Sequence, residues 1–295
     1  MKVLLTGASG FLGRYVLDSL RRKNIETVRL GRQCAPDSSF AHFIEADLLT
    51  APDFAALMTQ AKATHLLHLA WYAEPGKFWT SPLNLRWVDA TVRLVEAFCD
   101  AGGQRVVIAG SCAEYDESQN VCREDSTPLN PATLYGTAKD ATRRLVSAIC
   151  AQHHVPCVWG RVFLPFGAGE NRTRLIPSLI DVFRGQRPPF GINASAARDF
   201  LHASDIAEAF AVLLQRGASG SYNICSAQPT ALQDLARELA CLLDADPQTV
   251  LGLATERPGE PPLLVGENLK IKSLGWTPAL SLTQGLEKYL RDMPS

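Results

Sequence analysis

Short apolar runs alternate along the chain with longer stretches in which apolar residues recur every three or four positions. Because a strand covered on both faces is apolar throughout, the runs predict buried β-strands at residues 2–5, 27–30, 43–46, 66–70, 105–109 and 156–162. The longer stretches predict helices at residues 11–23, 52–62, 82–101 and 132–153. Alternation of this kind produces a parallel sheet with right-handed crossovers. We therefore predict an α/β fold, a Rossmann-type doubly wound parallel sheet.

A glycine-rich turn joins the first predicted strand to the first predicted helix. Glycines stand at positions 7, 10 and 13 in the run T-G-A-S-G-F-L-G, residues 6–13. Glycines in this position allow the backbone to approach a pyrophosphate, whose charge the helix N-terminus stabilises. The turn therefore predicts a dinucleotide site at the carboxyl ends of the strands.

The composition of the chain changes near residue 163. Beyond this point prolines become frequent and the predicted regular elements become shorter. We predict a dinucleotide-binding Rossmann domain over residues 1–163, to which elements from about 201–226 return. Residues 164–295 are predicted to form a smaller, interleaved C-terminal substrate-binding lobe.

Composition narrows the function classes. The 295 residues carry a net charge of −1, so no basic field predicts a nucleic acid or an anionic membrane as partner. No apolar run approaches the roughly 20 residues that span a bilayer. The first strand begins at residue 2, which leaves no room for a signal peptide, and the eight cysteines form no C-x-x-C pair. We expect a cytoplasmic protein with reduced thiols and no metal site.

A tyrosine and a lysine stand four positions apart in the helix predicted at residues 132–153. Tyr135 and Lys139 therefore share one helical face. Because a nearby cation favours the phenolate, the spacing predicts a Tyr135 pKa below the ordinary value near 10. A phenol adjusted in this way serves as an acid or base near neutral pH.

Taken together, the motifs resemble the extended short-chain dehydrogenases/reductases, the nucleotide-sugar epimerase/dehydratase family, over essentially the whole chain. The resemblance rests on T-G-x-x-G-x-x-G at residues 6–13, D-L at 47–48, H-L-A at 68–70, Ser111 four residues before a tyrosine, Y-x-x-x-K at 135–139, R-D-F-L-H with Asp205 at 198–205, R-P-G-E at 257–260 and L-G-W-T-P at 274–278.

The resemblance implies roles for individual residues. Ser111, Tyr135 and Lys139 would be catalytic. Substrate contacts would come from Tyr72 and Glu114, and from Arg198 and Arg257 at the diphosphate of a nucleotide sugar. The implied cofactor-binding residues are Gly7, Ser9, Gly10, Phe11, Leu12, Gly13, Arg14, Arg32, Asp47, Leu48, Leu69, Ala70, Trp71, Tyr135, Lys139 and Val162. The resemblance also implies a homodimer built on the helices at 82–101 and 132–153.

Two departures from the family pattern concern the reaction. Trp87 takes the place of the usual asparagine in the fourth-strand crossover helix, with Asn84 one turn earlier. Cys112 and Ala113 stand where the sugar dehydratases have an Asp-Glu pair that supplies the acid and base for water elimination. We therefore do not expect 4,6-dehydration.

The end of the second predicted strand bears on cofactor choice. It carries Arg32 and no carboxylate, whereas an acidic residue there would bind the ribose hydroxyls of NAD and repel a 2′-phosphate. We therefore expect NADP (NADPH), with NAD possible. The predicted function is NADPH-dependent reduction of a keto group, at C4, of a nucleotide-activated 6-deoxysugar. An NAD-dependent nucleotide-sugar 4-epimerase and a non-catalytic NADP-binding regulator remain alternatives.

Overall fold

The computed structural model describes residues 1–33, 42–50, 53–256 and 259–293. Its strands are β1 Lys2–Thr6, β2 Glu26–Gly31, β3 Phe43–Glu45, β4 His65–His68, β5 Arg105–Ser111, β6 Val121–Cys122, β7 Cys157–Val162, β8 Leu164–Phe166, β9 Ala197–Arg198, β10 Phe200–His202, β11 Gly220–Ile224, β12 Thr230–Ala231 and β13 Leu263–Gly266. Its α-helices are α1 Phe11–Arg22, α2 Phe54–Ala61, α3 Leu83–Asp100, α4 Leu134–Gln152, α5 Leu175–Phe183, α6 Ala203–Arg216, α7 Leu232–Leu242, α8 Gln248–Leu251, α9 Leu269–Lys272 and α10 Leu282–Asp292.

A seven-stranded parallel sheet forms the centre of the molecule, in the order β11-β7-β5-β4-β1-β2-β3. The strand order reverses between β1 and β4, so their carboxyl ends leave a crevice, which is the usual ligand position in such sheets. The predicted α/β, Rossmann-type fold is confirmed.

Helices cover both faces of this sheet, which explains why its strands are apolar throughout. On β1, Leu5 packs in one buried cluster with residues of α1 and α6, while Leu4 packs in a second cluster with residues of α2, α3 and α4. Within the described residues, no helix is long and apolar enough to cross a membrane.

The later part of the chain builds a smaller layer beside the carboxyl ends of the sheet. Here β12, β9, β13 and β6 form a short sheet, β8 pairs with β10, and α5, α7 and α10 enclose a separate apolar cluster. Between these elements, β11 returns to pair with β7 in the central sheet, and α6 packs against α1. The division of the chain into lobes at residue 163 stays a prediction.

A buried ion pair lies where β5 ends. The Glu114 carboxylate is fully buried and accepts hydrogen bonds from the Ser111 backbone N–H at 2.7 Å, the Trp159 indole at 2.9 Å and the Arg161 Nε at 2.8 Å. Arg161 is 1% exposed. The expected substrate contact by Glu114 is therefore corrected, because this carboxylate is enclosed by the core and binds the protein's own donors.

Removing the charge of Glu114 should destabilise the fold. In Glu114→Gln, Arg161 is left buried without a carboxylate, so we expect the free energy of unfolding to fall by about 3–5 kcal/mol. Urea denaturation measures the loss. The matched control is Glu26→Gln at the exposed Lys2–Glu26 pair, where about 0–1 kcal/mol is expected. Equal losses in the two variants would contradict the structural role given to Glu114.

Candidate active site

The glycine-rich turn between β1 and α1 brings three backbone segments into close contact. Gly7 has a φ of 74°, and a Cβ on it would lie 2.8 Å from the backbone nitrogen of Ala70. A Cβ on Gly13 would overlap the Gly7 carbonyl oxygen. Only glycine fits these two positions, so the turn stays open enough for a phosphate group to reach the N-terminus of α1.

This turn opens into a cavity of about 840 Å³ along the carboxyl ends of β1, β2 and β4. Its volume suits a dinucleotide, since ligand pockets of roughly 300–1,000 Å³ are usual. The cavity and the glycine turn therefore fit an NAD(P) cofactor.

The predicted cofactor residues divide into two groups. Those that line the cavity are Gly7, Ser9, Gly10, Arg14, Arg32, Asp47, Leu48, Ala70 and Trp71. Those that lie outside its lining are Phe11, Leu12, Gly13, Leu69, Tyr135, Lys139 and Val162. Tyr72, predicted as a substrate contact, also lines the cavity, and its hydroxyl donates to Glu74 at 2.9 Å.

Charged residues at the cavity differ in how they are held. Arg14 donates to the Gly169 carbonyl at 3.0 Å, which ties α1 to the loop before α5. The Asp47 carboxylate accepts the Leu49 backbone N–H at 3.0 Å. Arg32, by contrast, is exposed directly after β2.

The predicted catalytic serine and tyrosine come together at the end of β5. Ser111 caps the short 3₁₀ turn Cys112–Glu114, and its hydroxyl accepts the Ala113 N–H at 3.2 Å, which leaves the hydroxyl proton free to donate. Tyr135 lies in the first turn of α4. Burial raises the pKa of Tyr135, and hydrogen bonding from Ser111 opposes that rise.

The close approach of α4 to the serine turn depends on Gly136. A Cβ on Gly136 would overlap the Ala113 carbonyl oxygen. The residue that follows the tyrosine therefore allows the helix to bring the phenol beside Ser111.

Lys139 occupies a different environment from the one that its spacing predicts. It is buried, its ammonium donates to the Ala109 carbonyl at 3.0 Å, and it lies 3.8 Å from the centre of the Trp71 ring. Burial lowers the pKa of Lys139 to about 7, although the negative charge of Glu114 acts to raise it. The expected depression of the Tyr135 pKa is wrong, because burial of the phenol raises this pKa and outweighs the hydrogen bond from Ser111 and the charge of Arg174.

The aromatic segment between β4 and α3, residues 71–79, adds two residues that sequence reasoning missed, Phe78 and Trp79. The ring of Phe78 lies 4.8 Å from that of Tyr135, and the ring of Trp79 lies 5.8 Å from it. Asn84 is fully buried and holds this segment through the Trp71 indole and the Phe78 carbonyl. The dense W-Y…F-W run after a strand was the available signal.

Two further substrate contacts were expected from arginines. Arg198 is 7% exposed and pairs with Glu260 at 2.7 Å, so the positive charge expected there is already balanced. Arg257 lies outside the described residues.

Comparison with known proteins identifies the family of this chain. Residues 3–225 match the sequence model of the NAD dependent epimerase/dehydratase family. A trifunctional UDP-glucose 4,6-dehydratase/UDP-4-keto-6-deoxy-D-glucose 3,5-epimerase/UDP-4-keto-L-rhamnose-reductase of Arabidopsis thaliana is 26% identical over 98% of this chain. The chain spans about half of that relative's length, 46%. A UDP-glucose 4-epimerase of Azospirillum brasilense is 26% identical over 97% of this chain and 89% of its own length.

Solved structures agree with the fold. MoeE5 in complex with UDP-glucuronic acid and NAD is 26% identical, with a TM-score of 0.84 over 99% of this chain and 98% of its own. A UDP-glucose 4-epimerase of Thermotoga maritima reaches the same TM-score, 0.84, at 18% identity over 99% of this chain and 98% of its own. The match of residues 3–225 to the family model shows that the chain belongs to the NAD-dependent epimerase/dehydratase family, whose fold it shares.

Proposed function

We propose that the protein uses NADPH to reduce the C4 keto group of a nucleotide-activated 6-deoxysugar. The observation that carries the proposal is Arg32, an exposed cation that lines the cavity at the end of β2. The last residue of that strand and the two that follow are Gly31, Arg32 and Gln33, so no carboxylate stands there to repel a 2′-phosphate.

The protonation state of Tyr135 suits the role of proton donor. Because burial raises its pKa, the phenol stays protonated through the neutral range, as a proton donor must.

In the proposed reaction, Tyr135 donates its proton to the carbonyl oxygen as this becomes a hydroxyl. Ser111 donates a hydrogen bond to the same oxygen and stabilises its developing charge. Lys139, anchored on Ala109, binds the nicotinamide ribose. The nicotinamide, when bound, supplies the hydride. Cys112 and Ala113 offer no carboxyl groups for water elimination.

A second candidate is an NAD-dependent 4-epimerase, favoured by the similarity to UDP-glucose 4-epimerases and to structures solved with NAD. It uses the same three residues on a cofactor that stays bound. The absorbance of the purified protein near 340 nm and the mass of any released cofactor distinguish the two reactions. A non-catalytic regulator is disfavoured because Ser111, Tyr135 and Lys139 are all retained.

Removing the Tyr135 hydroxyl tests the proposed mechanism. Tyr135→Phe keeps the ring but loses the proton, so turnover should fall about 10²- to 10⁴-fold, while NADPH affinity stays close to wild type. Ser111→Ala should lower turnover by roughly 10²- to 10³-fold. NADPH oxidation with UDP- and dTDP-4-keto-6-deoxyglucose is the assay, and Tyr222→Phe, outside the site, is the control. Activity of Tyr135→Phe within about threefold of wild type would contradict the role of Tyr135.

Arg32→Ala tests the cofactor. Loss of a charge-assisted hydrogen bond to a 2′-phosphate corresponds to roughly 1.5–3 kcal/mol, or about a 10- to 150-fold weaker NADPH affinity, with NADH affinity nearly unchanged. Fluorescence titration measures both, with Arg291→Ala on α10 as control. Equal losses of affinity for the two cofactors, or no loss, would contradict the role given to Arg32 and would favour NAD as the cofactor.

We also propose that the protein forms a homodimer. On the outer side of α3 and α4, Leu85 is 58% exposed and Leu145 is 47% exposed, while the sheet-facing side of both helices is buried. A helix that is apolar on two faces needs a second partner.

The oligomeric state tests this proposal. Light scattering should show a dimer for the wild type at micromolar concentration. The double variant Leu85→Glu/Leu145→Glu should be a monomer, because it places charges in the proposed contact. A monomeric wild type would exclude the proposed dimer.

A further inference from the structure

The aromatic segment gives one side of the catalytic tyrosine an apolar boundary. Phe78 and Trp79 pack on each other with ring centres 4.2 Å apart, and both meet the Tyr135 ring edge to face. Trp71 meets the same ring at 6.5 Å. Trp79 is 40% exposed, so part of its ring faces solvent beside the Tyr135 ring.

Hydrogen bonds hold this boundary in position. The Trp79 carbonyl accepts the Tyr135 backbone N–H at 3.1 Å, which joins the segment to the start of α4. The Asn84 amide group donates to the carbonyls of Phe78 at 2.7 Å and Ser81 at 3.0 Å. The rings therefore present a preorganised surface, which lowers the entropy cost of binding.

Outside the aromatic segment, the side chains that influence the pKa of Tyr135 are polar. Burial raises the pKa of Tyr135, whereas the Ser111 hydroxyl and the Arg174 guanidinium act in the opposite direction. Arg174 in turn lies 3.6 Å from the buried Glu170 carboxylate. The tyrosine thus has one apolar flank and other polar neighbours.

A sugar reduced at C4 also has two unlike flanks. When its C4 oxygen meets the Tyr135 hydroxyl, C3 with its hydroxyl lies on one side, and C5 with C6 lies on the other. The C5–C6 side is apolar only when C6 is a methyl group. A hydroxyl placed against aromatic rings loses hydrogen bonds to water without replacement.

We propose that Phe78 and Trp79 form an apolar wall that receives C6 of the sugar and selects a methyl group over a hydroxymethyl group at that carbon. This proposal rests on reduction at C4 by Tyr135, and it assigns substrate selectivity to residues of the β4–α3 segment.

Binding of matched nucleotide sugars tests the wall separately from turnover. The probes are UDP-6-deoxyglucose against UDP-glucose, and dTDP-6-deoxyglucose against dTDP-glucose, titrated calorimetrically in the presence of NADPH. Neither sugar carries a keto group and NADPH cannot oxidise it, so the measurement does not depend on the reductase reaction. For the nucleotide that binds more tightly, we expect the 6-deoxysugar to be favoured by about 10- to 100-fold.

Variants of the wall should remove this preference. Trp79→Ala should weaken 6-deoxysugar binding by about the size of the wild-type preference, 10- to 100-fold, leave glucose binding nearly unchanged, and leave NADPH affinity at the wild-type value. Leu269→Ala, which removes another exposed apolar side chain far along the chain, should preserve the preference. Tyr135→Phe should also preserve it, although that variant lacks the proposed proton donor.

Three results would overturn the proposal. The first is equal affinity of the wild type for both members of each pair, or no binding of either member. The second is a preference that survives in Trp79→Ala. The third is a loss of NADPH affinity in Trp79→Ala that parallels the loss of sugar affinity, which would assign the wall to the cofactor. Failure of the proposed function would appear differently, as absence of NADPH oxidation with 4-keto-6-deoxysugars while the binding preference persists.

Discussion

The ion pair between Glu114 and Arg161 is the interaction on which the geometry of the site depends. Its carboxylate is saturated by donors from three different positions, so Ser111, Trp159 and Arg161 are all oriented by one group. Gly110 is part of the same arrangement, because a Cβ there would overlap the Trp159 indole nitrogen. A buried charge that meets its full complement of hydrogen bonds is costly to move, and this one lies three residues from the proposed catalytic serine.

The hydrogen-bond network continues through Tyr115, the residue after Glu114, and joins the central sheet to the smaller layer. Arg161 donates to the Tyr115 hydroxyl at 3.1 Å, and that hydroxyl donates to Asn223 on β11 at 2.7 Å. Asn223 donates to the carbonyl of Cys122, the last residue of β6, at 2.9 Å and to that of Glu267, directly after β13, at 3.1 Å. One polar chain therefore fixes β5, β7 and β11 against the small sheet. Near Tyr135 itself, the contacts from the aromatic segment are those of apolar rings, Phe78 and Trp79.

Most of the fold could be predicted from the sequence, because strands covered on two faces leave continuous apolar runs that local inspection detects. The strands of the small sheet could not, since β9 and β12 have two residues each and their pairing is set by distant neighbours. Of the site, Ser111, Tyr135 and Lys139 follow from short motifs. The role of Glu114 does not, because Trp159 and Arg161 lie 45 and 47 positions away in the chain. The Tyr135 pKa was misjudged for a related reason: the lysine is visible in the spacing, whereas burial is a property of the assembled fold.

The return of β11 to the central sheet bears on how the chain is synthesised. Strand β7 ends at Val162, and the strand that covers its free edge, Gly220–Ile224, emerges from the ribosome only after most of α5, β9, β10 and α6. Until then a fully buried strand has an open edge, and open apolar edges invite pairing with other chains. The central sheet therefore cannot be completed until part of the second half has been synthesised. Protection of that edge during translation becomes a requirement of this topology.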